Sequence, residues 1–499
     1  MIVVELNELH VRARLCKCAR EPRIDRLVAL PVQHRGRHPH VGPAGTEPVF
    51  GTSAFRRLVA VDLRGVLDEP EVDAEHAVRR RVIGVVHRRA CAPQLPRRLA
   101  GSQAPALDQA KRRRKEQHSD DARITLENAM DARALGALVL THAGAVAIDR
   151  EGERVVGATV EDRDPSGSGR RVRVRARVVV NAGGPWSDKV RALVGEPPIL
   201  RPTKGVHLVL DEARLKLTHA VVMQGRRDQR VMFAIPWGSG RTVIGTTDTD
   251  FTGDLDRVFA DAADVEYLLE TTNHYFPEAK LSAADVLSTW AGLRPLIGPP
   301  SVGASESDTS REHQVIDRPG FITIAGGKLT TFRRMAAEVV DCAGAQLGRI
   351  PVSTTGDRPL PGAVGIEDET DLARIVAAVE KLGYSSAVAS HLVDVFGSRA
   401  VAVARRGQGD ASARAPLDPE QPVVMAQVDE AVDNEFARTL DDVLCRRCPL
   451  ILRARDQGLA AAPAVADRMA RRLGWSAART ARELVEYSAA VADSRRFRG

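Results

Sequence analysis

Arg171, Arg173 and Arg175 alternate with Val172, Val174 and Ala176, and the alternation then gives way to an unbroken apolar run, Val178, Val179 and Val180. Alternation predicts a strand with one wet face, and the continuous run predicts one covered on both faces, as in a parallel sheet. Asn181-Ala182-Gly183-Gly184-Pro185-Trp186 ends the run. Glycines there admit backbone angles and close approaches that a Cβ forbids, while Pro185 and Trp186 stiffen the exit. The pattern recurs at Phe321–Ala325, followed by Gly326-Gly327-Lys328-Leu329-Thr330-Thr331 and then by Phe332, Met335, Ala336, Val339 and Ala343 at helical spacing. The free amides of such a helix start favour an anionic partner, and Lys328 adds a full positive charge there.

Elsewhere the periodicity predicts a helix over 122–135, a buried strand over 137–141, and a strand pair, 155–160 with 171–180, around the turn at Asp164-Pro165-Ser166-Gly167. Short β-like runs at 206–210, 231–235 and 242–246 suit a substrate domain built on an antiparallel sheet. Proline and glycine rise over 351–364 and mark a linker. Beyond it Val428, Val432, Phe436, Leu440 and Val443 form the apolar stripe of a helical bundle.

The chain has 499 residues, 43% of them hydrophobic, which allows two or more domains with sizeable cores. Its net charge of +7 is unevenly placed: residues 1–120 hold 23 Lys and Arg against 14 Asp and Glu, together with 7 of the 13 histidines. Those arginines are scattered among prolines and histidines without aromatic interleaving, so a nucleic-acid surface is not expected. Six cysteines make no disulfide framework. Cys16-Lys17-Cys18 lies in the atypical N-terminal region and Cys445-Arg446-Arg447-Cys448 has no second cysteine or histidine pair nearby in sequence, so no metal site is expected. No run of about eighteen apolar residues is present, and Glu5 and Glu8 stand where a signal peptide would carry positive charge, so the expected location is cytoplasmic.

The Asn181–Trp186 and Gly326–Arg333 segments are joined by Asp120-Asp121-Ala122-Arg123-Ile124-Thr125-Leu126-Glu127-Asn128-Ala129, Lys204-Gly205-Val206-His207 and Ile235-Pro236-Trp237. Ile244-Gly245-Thr246-Thr247-Asp248-Thr249-Asp250, Ala291-Gly292-Leu293-Arg294-Pro295-Leu296 and Ser310-Arg311-Glu312-His313 follow, with Phe396-Gly397-Ser398-Arg399-Ala400 farther on. In this order the motifs resemble the FAD-linked, quinone-reducing glycerol-3-phosphate dehydrogenases, in the D-amino-acid-oxidase-like flavoprotein group. The resemblance covers about 119–490.

It implies an α/β + α architecture: an incomplete FAD-binding α/β domain with an antiparallel-sheet substrate domain over 119–350, a linker at 351–364 and a helical C-terminal domain over 365–499. A dinucleotide fold should open with a strand, a Gly-x-Gly-x-x-Gly turn and a helix. The sequence contains no such motif. Residues 1–118 are therefore expected to be an atypical basic region, frame-shifted or poorly ordered.

The resemblance further implies FAD as cofactor, glycerol 3-phosphate as substrate, a quinone as acceptor and peripheral contact at the inner face of the cell membrane, and it leaves a homo-oligomer open. Arg294, Arg311 and Lys328 are the expected phosphate ligands, since forked, permanently charged donors suit a phosphate dianion. His207 is the expected base for the hydroxyl proton. Asn181, Ala182, Gly183, Gly184, Trp186, Gly326, Gly327, Lys328, Leu329 and Thr330 are the expected flavin contacts. Thr246, Thr247 and Asp248 either orient substrate or flavin or form a capped turn. Two other readings stand beside this one: a related flavoprotein oxidoreductase acting on another substrate, and a catalytically inactive remnant lacking the pyrophosphate site.

Overall fold

The computed structural model describes residues 2–5, 120–228, 230–298, 312–349 and 352–498. Strand β1 (Ile2–Glu5) is followed by helix α1 (Asp121–Ala134), whose first turn is capped by the Asp120 carboxylate accepting from the Arg123 amide at 2.9 Å. Strands β2 (Ala143–Glu151), β3 (Arg154–Asp162) and β4 (Arg171–Arg175) form an antiparallel meander. Strand β5 (Val178–Asn181) lies in a different sheet, antiparallel to β1.

The 171–180 segment is thus two strands. At the break the Ala176 amide still donates to Val156 O, whereas the Val179 amide donates to Gly320 O, so the chain changes partners there. The expected strand over 137–141 is also absent. Gly136 and His142 take left-handed backbone angles (φ 93 and 55) on either side of it, and Leu140 is exposed. These residues turn the chain into β2.

After β5 come helix α2 (Ser187–Ala192) and the long strand β6 (Leu200–Asp211), then β7 (Val221–Gln224), β8 (Val231–Pro236), β9 (Arg241–Gly245), β10 (Thr249–Asp250), helix α3 (Ala262–Tyr275) and strand β11 (Val286–Ile297). These strands make one sheet of order β10-β6-β9-β8-β7, with β11 on β6, and every pairing is antiparallel, as the sequence predicts. One face packs Val206, Leu208, Leu210 and Ile244 against Val265, Leu268 and Leu269 of α3. Asp261 and Asp264 close a capping box at the start of α3 and both bind Lys204, at 2.8 and 2.6 Å.

Strands β12 (Gln314–Arg318) and β13 (Phe321–Ala325) return the chain to the first sheet, where β13 runs parallel to β5, and helix α4 (Phe332–Gln346) follows. Val178, Val180 and Ile322 face Val339 of α4, while Val179 and Phe321 face Ile148, Val155 and Ala158 of the meander. This double cover is why the run at 178–180 is apolar without alternation.

The rest of the chain is helical: α5 (Glu369–Glu380), α6 (Ser386–Phe396), α7 (Ala400–Gly409), α8 (Met425–Asp433), α9 (Leu450–Arg453), α10 (Ala462–Leu473) and α11 (Ala477–Ser494). The expected stripe from Val428 to Val443 is not one helix. It ends at Asn434, passes Phe436 at φ 60 and resumes in a π-helical turn at Asp442–Arg447, though Val428, Leu440 and Val443 share one core. Among the described residues one stretch, Ser386–Gly409, is long and apolar enough to span a membrane. It is broken at Gly397 (φ 55), and Leu392, Val393, Phe396 and Val403 are buried in a second core.

A charge network ties α1 to this helical part. Arg123 pairs with Glu435, and Arg399 pairs with Glu127 (2.6 Å), Glu430 (3.1 Å) and Glu435 (3.1 Å). The Glu435 side chain is fully buried, which is tolerable because two guanidiniums meet it.

Candidate functional site

The face of the large sheet opposite α3 carries the polar residues. Directly opposed residues share a face, so Gly245 of β9, His207 of β6 and Trp290 of β11 form one row, Gly205 and Gly292 the next, and Thr203 and Arg294 the next. The two glycines leave a floor without side chains. A Cβ at Gly205 would lie 2.5 Å from Arg294 Nη2, whereas at Gly292 nothing among the described residues lies within 4 Å of that position. Arg294 leans across Gly205, donating to Asp248 Oδ1 at 3.0 Å and Thr246 Oγ1 at 3.1 Å. Thr247 instead accepts from the Val206 amide at 3.0 Å, so the Thr246–Asp248 turn both orients the arginine and caps the neighbouring strand.

Among the described residues His207 has no hydrogen-bond partner at Nδ1, which is buried. Burial, with the Arg294 charge as a second cause, pushes its pKa down to about 4. The imidazole is therefore uncharged at neutral pH and has one ring nitrogen able to receive a proton. Lys204, one residue before Gly205 on β6, points to the other face and is engaged by the start of α3.

Both glycine loops leave the C-terminal ends of the parallel strands β5 and β13 and meet the end of β11. The turn Gly184–Trp186 touches β11, and a Cβ at Gly326 would lie 2.9 Å from Ile297 Cδ1. Gly184, Gly326 and Gly327 have φ of 56, 71 and 86, angles that favour glycine. Nothing among the described residues lies within 4 Å of the Cβ position at Gly184, so this edge is open to a flat group. Asn181 is spent inside its own loop: its side-chain nitrogen donates to Ser187 O at 3.0 Å and its oxygen accepts from the Gly183 amide at 3.1 Å. Trp186 donates to Asp256 at 2.8 Å. Lys328, Leu329 and Thr330 are exposed at the mouth, ahead of α4. His313 flanks the second loop and is bound to Glu338 of α4 at 2.6 Å.

The two loops, with the open positions at Gly184 and Gly292, fit the flavin end of FAD. The described residues do not supply the pyrophosphate end. Strand β1 runs antiparallel to β5, with Ile2 opposite Asn181 and Glu5 opposite Val178, so β1 ends at the end of the sheet away from the glycine loops. A strand–turn–helix phosphate site needs the reverse direction.

Arg311 and the 1–118 region outside Ile2–Glu5 lie beyond the described residues, as does Cys16-Lys17-Cys18. Burial pushes the Cys448 thiol up to about 12 and Cys445 well above its ordinary value, which disfavours a thiolate ligand. Trp290, Trp237 and Gly245 join the site without being expected there from the sequence. Trp237 and Gly245 lie within motifs that carry the resemblance, but their placement at the site, like that of Trp290, depends on strand register.

Residues 58–333 match the family of FAD-dependent oxidoreductases, and residues 353–480 match the C-terminal domain of alpha-glycerophosphate oxidase. The first match takes in residues 58–118, which the motifs alone set apart. Glycerol-3-phosphate dehydrogenase 2 of Mycobacterium tuberculosis is 37% identical over 380 residues, covering 74% of this chain and 62% of its own length. The chain thus spans less than two thirds of that relative. Alpha-glycerophosphate oxidase of Enterococcus casseliflavus is 30% identical over 446 residues, covering 75% of this chain and 70% of its own. The solved structure of the glycerol-3-phosphate dehydrogenase of Bacillus halodurans, complexed with FAD, superposes with a TM-score of 0.68 at 30% identity, covering 76% of this chain and 74% of that one.

Proposed function

Because the chain belongs to the FAD-dependent oxidoreductase family, we propose that it serves the oxidation of sn-glycerol 3-phosphate to dihydroxyacetone phosphate. The observation that carries this reading is the pairing on one sheet face of a permanently charged guanidinium, Arg294, with an uncharged, buried imidazole, His207, above a floor of two glycines. FAD, when bound, would supply the hydride acceptor for the C2–H bond.

The chain's own residues then have separate tasks. Arg294, held in orientation by Asp248 and Thr246, offers charge-assisted donors to the phosphate, with Arg311 and Lys328 as further cations. His207 takes the hydroxyl proton at a ring nitrogen. Gly184, Trp186, Gly326 and Gly327 would line the flavin end, with Asn181 and Ala182 holding the first loop. The reading extends to a quinone acceptor and to a cytoplasmic protein in peripheral contact with the inner face of the membrane.

One observation favours the inactive remnant instead: the direction of β1, which places no pyrophosphate turn at the loop edge among the described residues. Anaerobic mixing of the full chain, excess FAD and substrate separates the readings. Bleaching of the flavin bands by glycerol 3-phosphate, and not by glycerol or amino acids, supports the proposal. Bleaching by an amino acid alone, or by none of these substrates, overturns it.

A further inference from the structure

A base in an enzyme is commonly aimed by a hydrogen bond to its second ring nitrogen. His207 has none, because Nδ1 is buried without a partner among the described residues. What it has is a face contact. The imidazole is stacked on Trp290 with ring centroids 4.6 Å apart and planes 12° from parallel, and Trp290 is stacked on Trp237 at 5.5 Å and 28°. Beyond Trp237 lies the guanidinium carbon of Arg453, 3.9 Å from the ring centroid.

The stack is anchored at its far end. Arg453 donates to Trp237 O at 3.1 Å, and its own carbonyl accepts from Arg241 of β9 at 2.7 Å. Ser288, two residues before Trp290, donates to Leu452 O at 2.7 Å, which fixes α9 against β11. On the other side of the imidazole, Gly245 provides the room: a Cβ there would collide with the ring. The charged groups near the ring are Arg294 from β11, with Asp248, after β9, bound to it.

We propose that Trp290 is the positioning residue for His207, and that Trp237 and Arg453 hold Trp290 in place, so the C-terminal helical part sets the plane of the imidazole. The importance of that plane for turnover rests on the reading of His207 as the base. A stack has a direction but no hydrogen-bond length, so it can fix the ring while leaving both nitrogens free of fixed partners. It also presents an aromatic face to the imidazolium formed when the proton arrives.

The test uses the full chain labelled with ¹³C-histidine, the His207 signal being identified by its loss in His207→Asn. Stacking places that signal upfield through the Trp290 ring current. The proposal expects Trp290→Leu to return it downfield, Trp290→Phe to retain a smaller upfield displacement, and Arg453→Met to move it although Arg453 does not touch His207. With FAD and substrate, Trp290→Leu and Arg453→Met should lower kcat while leaving KM for glycerol 3-phosphate nearly unchanged. If Trp290→Leu does not fold, Trp290→Phe and Arg453→Met decide. A His207 signal that stays put in Arg453→Met, or is the same with Trp and Phe at 290, overturns the proposal. Full turnover by His207→Asn removes the base reading and, with it, the catalytic part of the proposal, whereas the signal positions test the stack independently.

Discussion

Arg294→Ala is the perturbation that most directly probes the substrate. A charge-assisted contact to phosphate is worth about 1.5–3 kcal/mol, which is roughly ten- to over a hundredfold in kcat/KM. The side chain is 26% exposed and already oriented by Asp248 and Thr246, so little ordering is needed on binding and the upper half of that range is expected. Truncation also takes the Arg294 charge away from Asp248, whose side chain is 9% exposed, and some loss will be structural. Glycerol provides the internal control, because it lacks the phosphate and meets the same disturbed turn. Initial rates on both substrates, with saturating FAD and a dye acceptor, should fall far more for glycerol 3-phosphate. The same variant should raise the His207 pKa from about 4 toward its ordinary value near 6.5 without reaching it, since burial is the larger cause and remains. The acid limb of the rate profile should move up accordingly. Equal losses on the two substrates, with an unmoved acid limb, would refute Arg294 as the phosphate ligand.

Gly205→Ala places a Cβ 2.5 Å from Arg294 Nη2 and should raise KM for glycerol 3-phosphate through displacement of the guanidinium, visible in steady-state rates. Arg399→Met leaves Glu127, Glu430 and the buried Glu435 short of a partner and should cost about 3–5 kcal/mol, read as a lower Tm by calorimetry. His142 donates to Asp442 at 3.0 Å, and that bond raises the His142 pKa. The contribution is therefore full below the ordinary histidine pKa of about 6.5 and is lost as pH rises through the folded value, so His142→Gln should lower Tm more at pH 5.5 than at pH 8.5, two values chosen to straddle roughly that range. The full chain purified without added cofactor should carry far less than stoichiometric FAD, measured by flavin absorbance after gel filtration; a full complement would show a pyrophosphate site formed by segments other than β1.

The sequence was legible where one residue pattern had one structural cause. Val178, Val179 and Val180 are apolar because α4 and the meander cover opposite faces of β5, and Val339 and Ala343 recur because α4 lies on that same sheet, although Ala336 of the same stripe is exposed. It misled where partners change along a continuous pattern. Ala176 belongs to the meander and Val178 to the parallel pair, yet nothing in their side chains announces the exchange. The Val428–Val443 stripe keeps its period through the break at Phe436 because both pieces face one core. His207 and Arg294 stand in recognisable motifs, but Trp290 stacks on His207, and Trp237 on Trp290, only through pairing between distant strands and a contact from α9, which no local pattern encodes.

The Arg123–Glu435 pair joins residues 312 positions apart. At synthesis rates of about 5–20 residues per second, α1 waits roughly 15–60 s after leaving the ribosome before its partner carboxylate exists. During that interval Arg123 and Glu127 can bind each other, but Arg399, Glu430 and Glu435 have not yet been made. The loop that must close is long, and its entropic cost falls due only at the end of translation. Early release of the nascent chain, or a stall before residue 435, would leave α1 and the meander facing water where the helical bundle belongs. Chaperone dependence and aggregation of truncated products should thus be set by the length of chain already made, with a sharp change once the segment containing Glu435 emerges.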